Sequence, residues 1–268
     1  MFRGARRAVN QMGGFRSTIA GAHFVTAGST LSRVTRCALQ RGARAATALL
    51  LPSTCCLCGA AGHRSDLDLC EVCVTLLPFD CATPDAIARE LEARDQVATR
   101  TLAVALVPFL YAYPVDEFIR ALKFRGERVY ARVLGSLLAD THRVRGGETP
   151  VALVPVPLHS KRYRERGFNQ AAEIARFAAI SLGIDVLSDC LVRRVATQEQ
   201  SGLSVDERRR NVRDAFEVRR VPTATRIALV DDVITTGSTA MAAARALLSA
   251  GVEELELWAV ARVRAHSA

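Results

Sequence analysis

Apolar positions in the second half of the chain fall into short runs separated by stretches of helical spacing. Leu102–Val107 reads as a strand, and Phe109–Tyr113 prolongs it beyond Pro108. Val115–Leu122 and Val129–His142 have the three-to-four-residue apolar period of helices, joined at a turn Lys123-Phe124-Arg125-Gly126. Val151–Val156 is a buried strand stopped at Pro157. Asn169–Leu182 is an alanine-rich helix with Gly183 at its C-cap. Leu191–Val195 is a short strand, and Ser204–Asp214 a charged helix with Ser204 and Glu207 as a capping box. Arg226–Val230, Thr239–Ala250 (closed by Gly251) and Leu255–Val263 continue as strand, helix, strand. Strands alternating with helices predict an α/β fold: a mainly parallel sheet covered by helices on both faces. Ligands in such sheets sit beyond the carboxyl ends of the strands.

Composition changes this picture mainly at the N-terminus. The formal charge of +9 suggests a nucleic-acid binder until it is located. Arg3, Arg6, Arg7, Arg16, Arg33, Arg36, Arg41 and Arg44 precede any acid, and the first acidic residue is Asp66. These eight arginines leave +1 for residues 51–268, so the folded body gives no independent support for direct DNA binding. Residues 1–45 read as a basic disordered leader or a mis-assigned start, with a targeting segment or a functional basic arm as alternatives. A secretory signal fits poorly, because Ser17–Leu31 is broken by Thr, Gly and His. No apolar run approaches membrane-spanning length, so a cytoplasmic protein without a membrane partner is expected.

Five of the eight cysteines fall between residues 55 and 73. Cys55/Cys58 and Cys70/Cys73 are two Cys-x-x-Cys pairs separated by eleven residues. Two such knuckles can close a tetrahedral four-sulfur site, the preference of structural zinc. Cys56 could replace a ligand and His63 could join the site, and buried thiols or a disulfide pair are the bland alternatives. A segment this short needs a staple, which metal supplies. The expected division is a zinc ribbon over residues 46–84 and the α/β domain over 85–268.

The most informative stretch is Ile227-Ala228-Leu229-Val230-Asp231-Asp232-Val233-Ile234-Thr235-Thr236-Gly237-Ser238-Thr239. Apolar residues make a buried strand, two carboxylates appear at its end, and small hydroxyl residues with one glycine open the next helix. Such a loop can wrap N–H and O–H groups around a phosphate. Adjacent acids would repel that phosphate, but they suit the hydroxyls of a sugar or water around magnesium. Gly-Lys-Ser/Thr is missing, so this is no Walker loop, and no Gly-x-Gly-x-x-Gly follows a strand.

This segment resembles the phosphoribosyl-pyrophosphate (PRPP) loop of type I phosphoribosyltransferases. Further stretches narrow the resemblance to the ComF/GntX family: Leu50-Leu51-Pro52 before the cysteine pairs, Ala121-Leu122-Lys123-Phe124-Arg125-Gly126, Pro155-Val156-Pro157-Leu158-His159, Arg164, Arg166-Gly167-Phe168-Asn169-Gln170, and Thr197 with Gln200, Leu203, Arg208, Asn211, Ala215 and Phe216. It covers roughly residues 46–264. The resemblance implies a type I phosphoribosyltransferase-like domain behind an N-terminal zinc ribbon, with Zn²⁺ structural and Mg²⁺ arriving with PRPP. It implies that Asp231 and Asp232 contact ribose hydroxyls and that Thr235, Thr236, Gly237, Ser238 and Thr239 cradle the 5-phosphate. A PRPP enzyme must also hold pyrophosphate, for which His159, Lys161, Arg162, Arg164 and Arg166 are candidates; Lys123 and Arg125 form a second basic turn. Links to DNA uptake in competence follow for some members, with a competence or DNA-processing protein as partner. The activity expected is phosphoribosyl transfer to an unidentified acceptor. The alternative is a non-catalytic PRPP- or nucleotide-binding module. No catalytic base stands out.

Overall fold

The computed structural model describes residues 53–62, 64, 67–95, 102–194, 215–222 and 225–264. The leader, Leu50-Leu51-Pro52, His63, the helix expected over Ser204–Asp214, and Thr197, Gln200, Leu203, Arg208 and Asn211 lie outside them. Two helices open the described chain: α1 (Glu71–Thr75) and α2 (Pro84–Asp95). Then come β1 (Val104–Leu106), β2 (Phe109–Leu110), α3 (Val115–Arg120), a π-helical turn (Ala121–Arg125), α4 (Val129–Arg145), β3 (Ala152–Pro155), α5 (Ser160–Arg166), α6 (Gln170–Leu182), β4 (Asp185–Val186), β5 (Leu191–Arg193), β6 (Phe216–Val218), β7 (Arg226–Ile234), α7 (Ser238–Ser249) and β8 (Glu254–Arg262).

The main sheet runs β1-β8-β7-β3-β4, with β2 also on β8, and every pairing in it is parallel. β5 and β6 form a separate antiparallel pair. The two-residue period of each strand divides the core. Leu153, Ala228, Val230, Trp258 and Val260 face one layer, made by α3, α4 and α6. Ala152, Val154, Ile227, Leu229, Leu255 and Leu257 face the other, made by α2 and α7. The sheet is thus covered on both faces, which is why its strands read as continuous apolar runs.

Several expectations shift. The turn at Lys123–Arg125 is helical: α3 runs into a π-helical turn that ends at Gly126, whose φ of 69° is left-handed. α1, α2, α5, β4 and β6 carry periods too short or too polar to read in advance. The strand expected to stop at Val230 continues to Ile234, because β8 still pairs with it from Asp231 to Ile234. β3, on its other side, ends its register at Pro155↔Val230. The acidic pair therefore lies inside β7, on the stretch that β8 supports and β3 has left.

The cysteine-rich segment packs into the first core layer, contributing Cys55, Leu67, Leu69, Cys73 and Leu77 to it. Arg64 bridges to Asp140 at 2.6 Å, and Arg132 pairs with the buried Asp68, so two ion pairs fasten it to α4. Another buried clamp joins Arg262 to Asp80 and Glu90, tying β8 to α2 and the loop before it. Among the described residues no helix is long and apolar enough to cross a membrane.

Candidate functional site

β3 and β7 are neighbours, yet the helices that follow them lie on opposite faces: α6 in the first layer, α7 in the second. This is a topological switch point, where the exits of two strands diverge and leave a crevice. A cleft of about 320 Å³ occupies it, lined by Val156–Leu158 from the β3 exit and by Asp231–Ala240 from β7 and α7. Tyr111, Lys123, Arg162, Gln170 and Arg193 complete its wall. The volume lies at the small end of ligand pockets, roughly 300–1,000 Å³.

Asp232 continues the parity of Ala228 and Val230, and its carboxylate meets the Lys123 ammonium in an ion pair. Asp231 continues the parity of Ile227 and Leu229. Its Oδ1 accepts from the Asp232 N–H at 2.9 Å. Burial, and then the charge of Asp232, push the Asp231 carboxyl well above the usual carboxylate range, against the pull of the Asp232 N–H and of Lys123. Environment thus softens the repulsion that two adjacent carboxylates would offer a phosphate.

The Thr-Thr-Gly-Ser-Thr loop turns sharply. Gly237 has φ 82° and caps α7 without a side-chain hydrogen bond. The Thr236 and Ser238 hydroxyls lie 3.0 Å apart. The first-turn N–H groups of α7 consequently face the cleft beside a row of hydroxyls, an arrangement suited to an anion.

The basic cluster after β3 divides by position. His159 caps α5, its Nδ1 accepting from the Lys161 N–H at 3.2 Å. Arg162 lines the cleft. Arg166 lines a second cavity and donates to Gln170. Lys161 and Arg164 are exposed and line neither cavity. Burial holds Arg166 below the ordinary arginine value, opposed by Asp232 and reinforced by Arg162. Burial does the same to Arg193, with Arg162 adding to it and Asp231 opposing. The wall residues Tyr111, Gln170 and Arg193 carried no motif beyond Gln170's place in Arg-Gly-Phe-Asn-Gln. Asn169 explains that motif in part: it caps α6 and donates to the Val156 carbonyl at 2.9 Å, fixing the β3 exit.

On the flank, the Sγ atoms of Cys55, Cys58, Cys70 and Cys73 all lie within 4.8 Å of one another. Cys58 and Cys70 are 3.6 Å apart, far beyond a disulfide and near the ~3.8 Å edge of a tetrahedron with ~2.3 Å zinc–sulfur bonds. The first knuckle closes through Gly59 N–H to the Cys55 carbonyl at 2.8 Å; the second is the start of α1, where Cys70 accepts from the Cys73 N–H. The cluster fits structural zinc. Cys56 stays outside it, packed against the core, so the possible substitution of a ligand by Cys56 is not realised.

Fold and site define an α/β protein with a polar, anion-suited cleft at its switch point and a four-cysteine cluster fit for zinc on its flank. No family model matches the chain. It is 36% identical over 159 residues to competence protein F of Haemophilus influenzae, covering 57% of this chain and 69% of that one. It is 31% identical over 228 residues to the DNA utilization protein YhgH of Salmonella typhimurium, covering 80% of this chain and 99% of that one. Competence protein ComFC of Bacillus subtilis is 29% identical over 150 residues, 53% of this chain and 57% of that one. The chain belongs to the ComF family of competence and DNA-utilization proteins. Among solved structures, the glutamine PRPP amidotransferase of B. subtilis aligns with a TM-score of 0.34 and 22% identity, covering 47% of this chain and 25% of that one.

Proposed function

We propose that this phosphoribosyltransferase-like protein binds PRPP in the switch-point cleft and transfers its phosphoribosyl group to an acceptor, releasing pyrophosphate. The observation that carries the reading is the divergence at Val230. There β3 leaves, β7 runs on, and two buried carboxylates are followed directly by a hydroxyl-rich helix start. In this reading Thr235, Thr236, Gly237, Ser238 and Thr239 hold the 5-phosphate through backbone N–H groups and hydroxyls. Asp231 and Asp232 accept from the ribose 2- and 3-hydroxyls. Asp232 exchanges Lys123 for that hydroxyl, and the freed ammonium turns to pyrophosphate. Arg162 is the best-placed pyrophosphate ligand of the basic cluster; Arg166 stands behind it, and His159, Lys161 and Arg164 serve its α5 scaffold and outer field. Magnesium bound with PRPP would neutralise charge on the departing group, with Asp231 and Asp232 the carboxylates at hand for its water shell. The acceptor's lone pair forms a bond to the ribose anomeric carbon, the bond from that carbon to pyrophosphate breaks, and its electron pair leaves with pyrophosphate. The acceptor's proton passes to water. A competence or DNA-processing protein as partner accords with the names of the relatives, and a cytoplasmic setting is part of the same proposal.

One observation favours a second reading. Among the described residues lining the cleft there is no histidine or glutamate, and the first reading commits both aspartates to hydroxyls. A base for the acceptor is therefore not at hand, and the cleft would serve a non-catalytic module that binds PRPP or a nucleotide and acts as a protein partner in DNA uptake or repair. Calorimetry with magnesium and PRPP tests what the two readings share. Binding should be clear in the wild type and at least about tenfold weaker in Asp232→Asn, where an acceptor-only carboxylate becomes an amide. Equal affinities in both proteins would remove the cleft from consideration. Pyrophosphate release over a panel of acceptors then separates transferase from binder.

A further inference from the structure

A second cavity of about 700 Å³ adjoins the cleft, and Lys123, Arg162 and Gln170 are walls of both. Its own features are unlike those of the cleft. Phe124, at 77% exposure, stands on the π-helical turn, a distortion frequent at functional sites. The Arg166 guanidinium lies 5.8 Å from the Phe124 ring centroid. Phe168 lines the cavity, and the Arg128 guanidinium lies 5.6 Å from its ring centroid.

Charge at this cavity is unbalanced. Arg125 is held by Glu117 at 2.8 Å and Glu127 at 2.6 Å, so it is neutralised in place. Lys123 is paired with Asp232. Arg162 forms no ion pair among the described residues, and Arg166 donates to the neutral amide of Gln170. Against these two cations the lining offers one carboxylate, the exposed Glu165. Two guanidinium groups beside an exposed phenyl ring suit a ligand with a flat π-face and a negative group at its edge.

Resting on the PRPP reading of the neighbouring cleft, we infer that this cavity is the acceptor subsite and that it takes a small planar aromatic ring bearing an anionic group. The ring stacks on Phe124 and Arg166 holds its carboxylate or phosphate, while Arg162, on the wall shared with the cleft, stays with pyrophosphate. The shared wall of Lys123, Arg162 and Gln170 joins the two subsites, so a ring seated in this cavity borders the cleft that holds the sugar. Such a ligand could be a free aromatic acid or a nucleoside monophosphate.

Binding is measured on the full chain with benzoate, adenosine 5′-monophosphate, adenosine and inorganic phosphate as probes, and with PRPP and magnesium in parallel. One of the two aromatic anions should bind, and which one does identifies the source. Phe124→Ala should weaken it about tenfold, the loss expected for one stacking contact, and Arg166→Gln about as much. Because Phe124 is exposed and lines the second cavity alone, PRPP affinity should stay unchanged in Phe124→Ala. The inference is overturned if neither aromatic anion binds, if inorganic phosphate binds as tightly as they do, or if Phe124→Ala leaves their affinity intact. An aromatic anion that binds with Phe124 dependence while PRPP does not bind would keep the cavity as a site and discard the PRPP reading.

Discussion

Gly237→Ala tests the candidate site through its backbone. The residue has φ 82°, and a Cβ built there would lie 2.6 Å from Leu91 Cδ2. Left-handed backbone costs a residue with a Cβ about 1–2 kcal/mol. The contact is with the end of a side chain that is itself buried on α2, so relieving it costs about 1 kcal/mol more. The sum, about 2–3 kcal/mol, lowers the melting temperature by about 4–12 °C in a protein of this size. Sequence reasoning alone treats a substitution at Gly237 as a local insult to ligand binding; the packing against Leu91 makes it an insult to the fold as well. A double-mutant cycle separates the two parts. Leu91→Ala costs about 2–5 kcal/mol by itself but removes the atom that the new methyl strikes. Thermal denaturation of the pair should therefore show about 1 kcal/mol of favourable coupling, leaving the backbone strain. Calorimetry with PRPP should show binding lost in Gly237→Ala and not restored by Leu91→Ala. Strict additivity of the two substitutions would refute the steric argument. A Gly237→Ala protein that melts and binds like the wild type would refute the whole account of the turn.

Three other outcomes follow from the packing. Elemental analysis should find about one zinc per chain, absent from Cys55→Ser/Cys70→Ser, and unchanged metal in that variant would sink the four-cysteine assignment. Arg262→Met leaves the buried Asp80 carboxylate only the Ala82 N–H and the exposed Arg264, and should cost about 3 kcal/mol in denaturant titration; a loss within experimental scatter would show the clamp to be dispensable. Burial pushes the Asp80 carboxyl up, but the Arg262 hydrogen bond, the Ala82 N–H and the charges of Arg262 and Arg264 outweigh it and hold the carboxyl below its ordinary value. The clamp's contribution is thus complete above the unfolded carboxylate range near pH 4 and disappears as pH falls through the lower folded value. His142 acts in a higher window. It is buried against Trp258, with Thr149 at 3.2 Å from Nε2, and burial, then the charge of Arg145, lowers its pKa. The unfolded chain therefore takes up a proton first, and stability should decline as pH drops below about 6.5. In His142→Asn that slope should flatten; an unchanged slope would assign it to another group.

The sequence shows the sheet and hides the crevice, for one physical reason. Strand β7 is legible because Ile227–Val230 is buried on both faces, and hydrophobic periodicity reports burial. Where β7 stops is decided by its neighbours. Asp231 and Asp232 look like the end of a strand because they are polar, yet β8 continues to pair with them; polarity here marks the departure of β3, an event in another part of the chain. The Thr-Thr-Gly-Ser-Thr loop could be read because its chemistry is contiguous. The Lys123 contact with Asp232 could not, because it joins residues more than a hundred positions apart through a π-helical turn that resembles an ordinary loop in sequence. Arg193 is hidden for the same reason: its place in the cleft comes from the β5–β6 ribbon, whose three-residue strands carry almost no period. The basic cluster shows how nearness in sequence and nearness in space part. Five basic residues within eight positions look like one anion site, but a helix places its side chains all round its axis. Once α5 forms, Arg162 lies on the wall shared by the cleft and the second cavity, Arg166 lines the second cavity, and Lys161 and Arg164 face water. Spacing along a chain indicates shared chemistry only where the local structure turns the side chains the same way, as the two cysteine knuckles do around a single point.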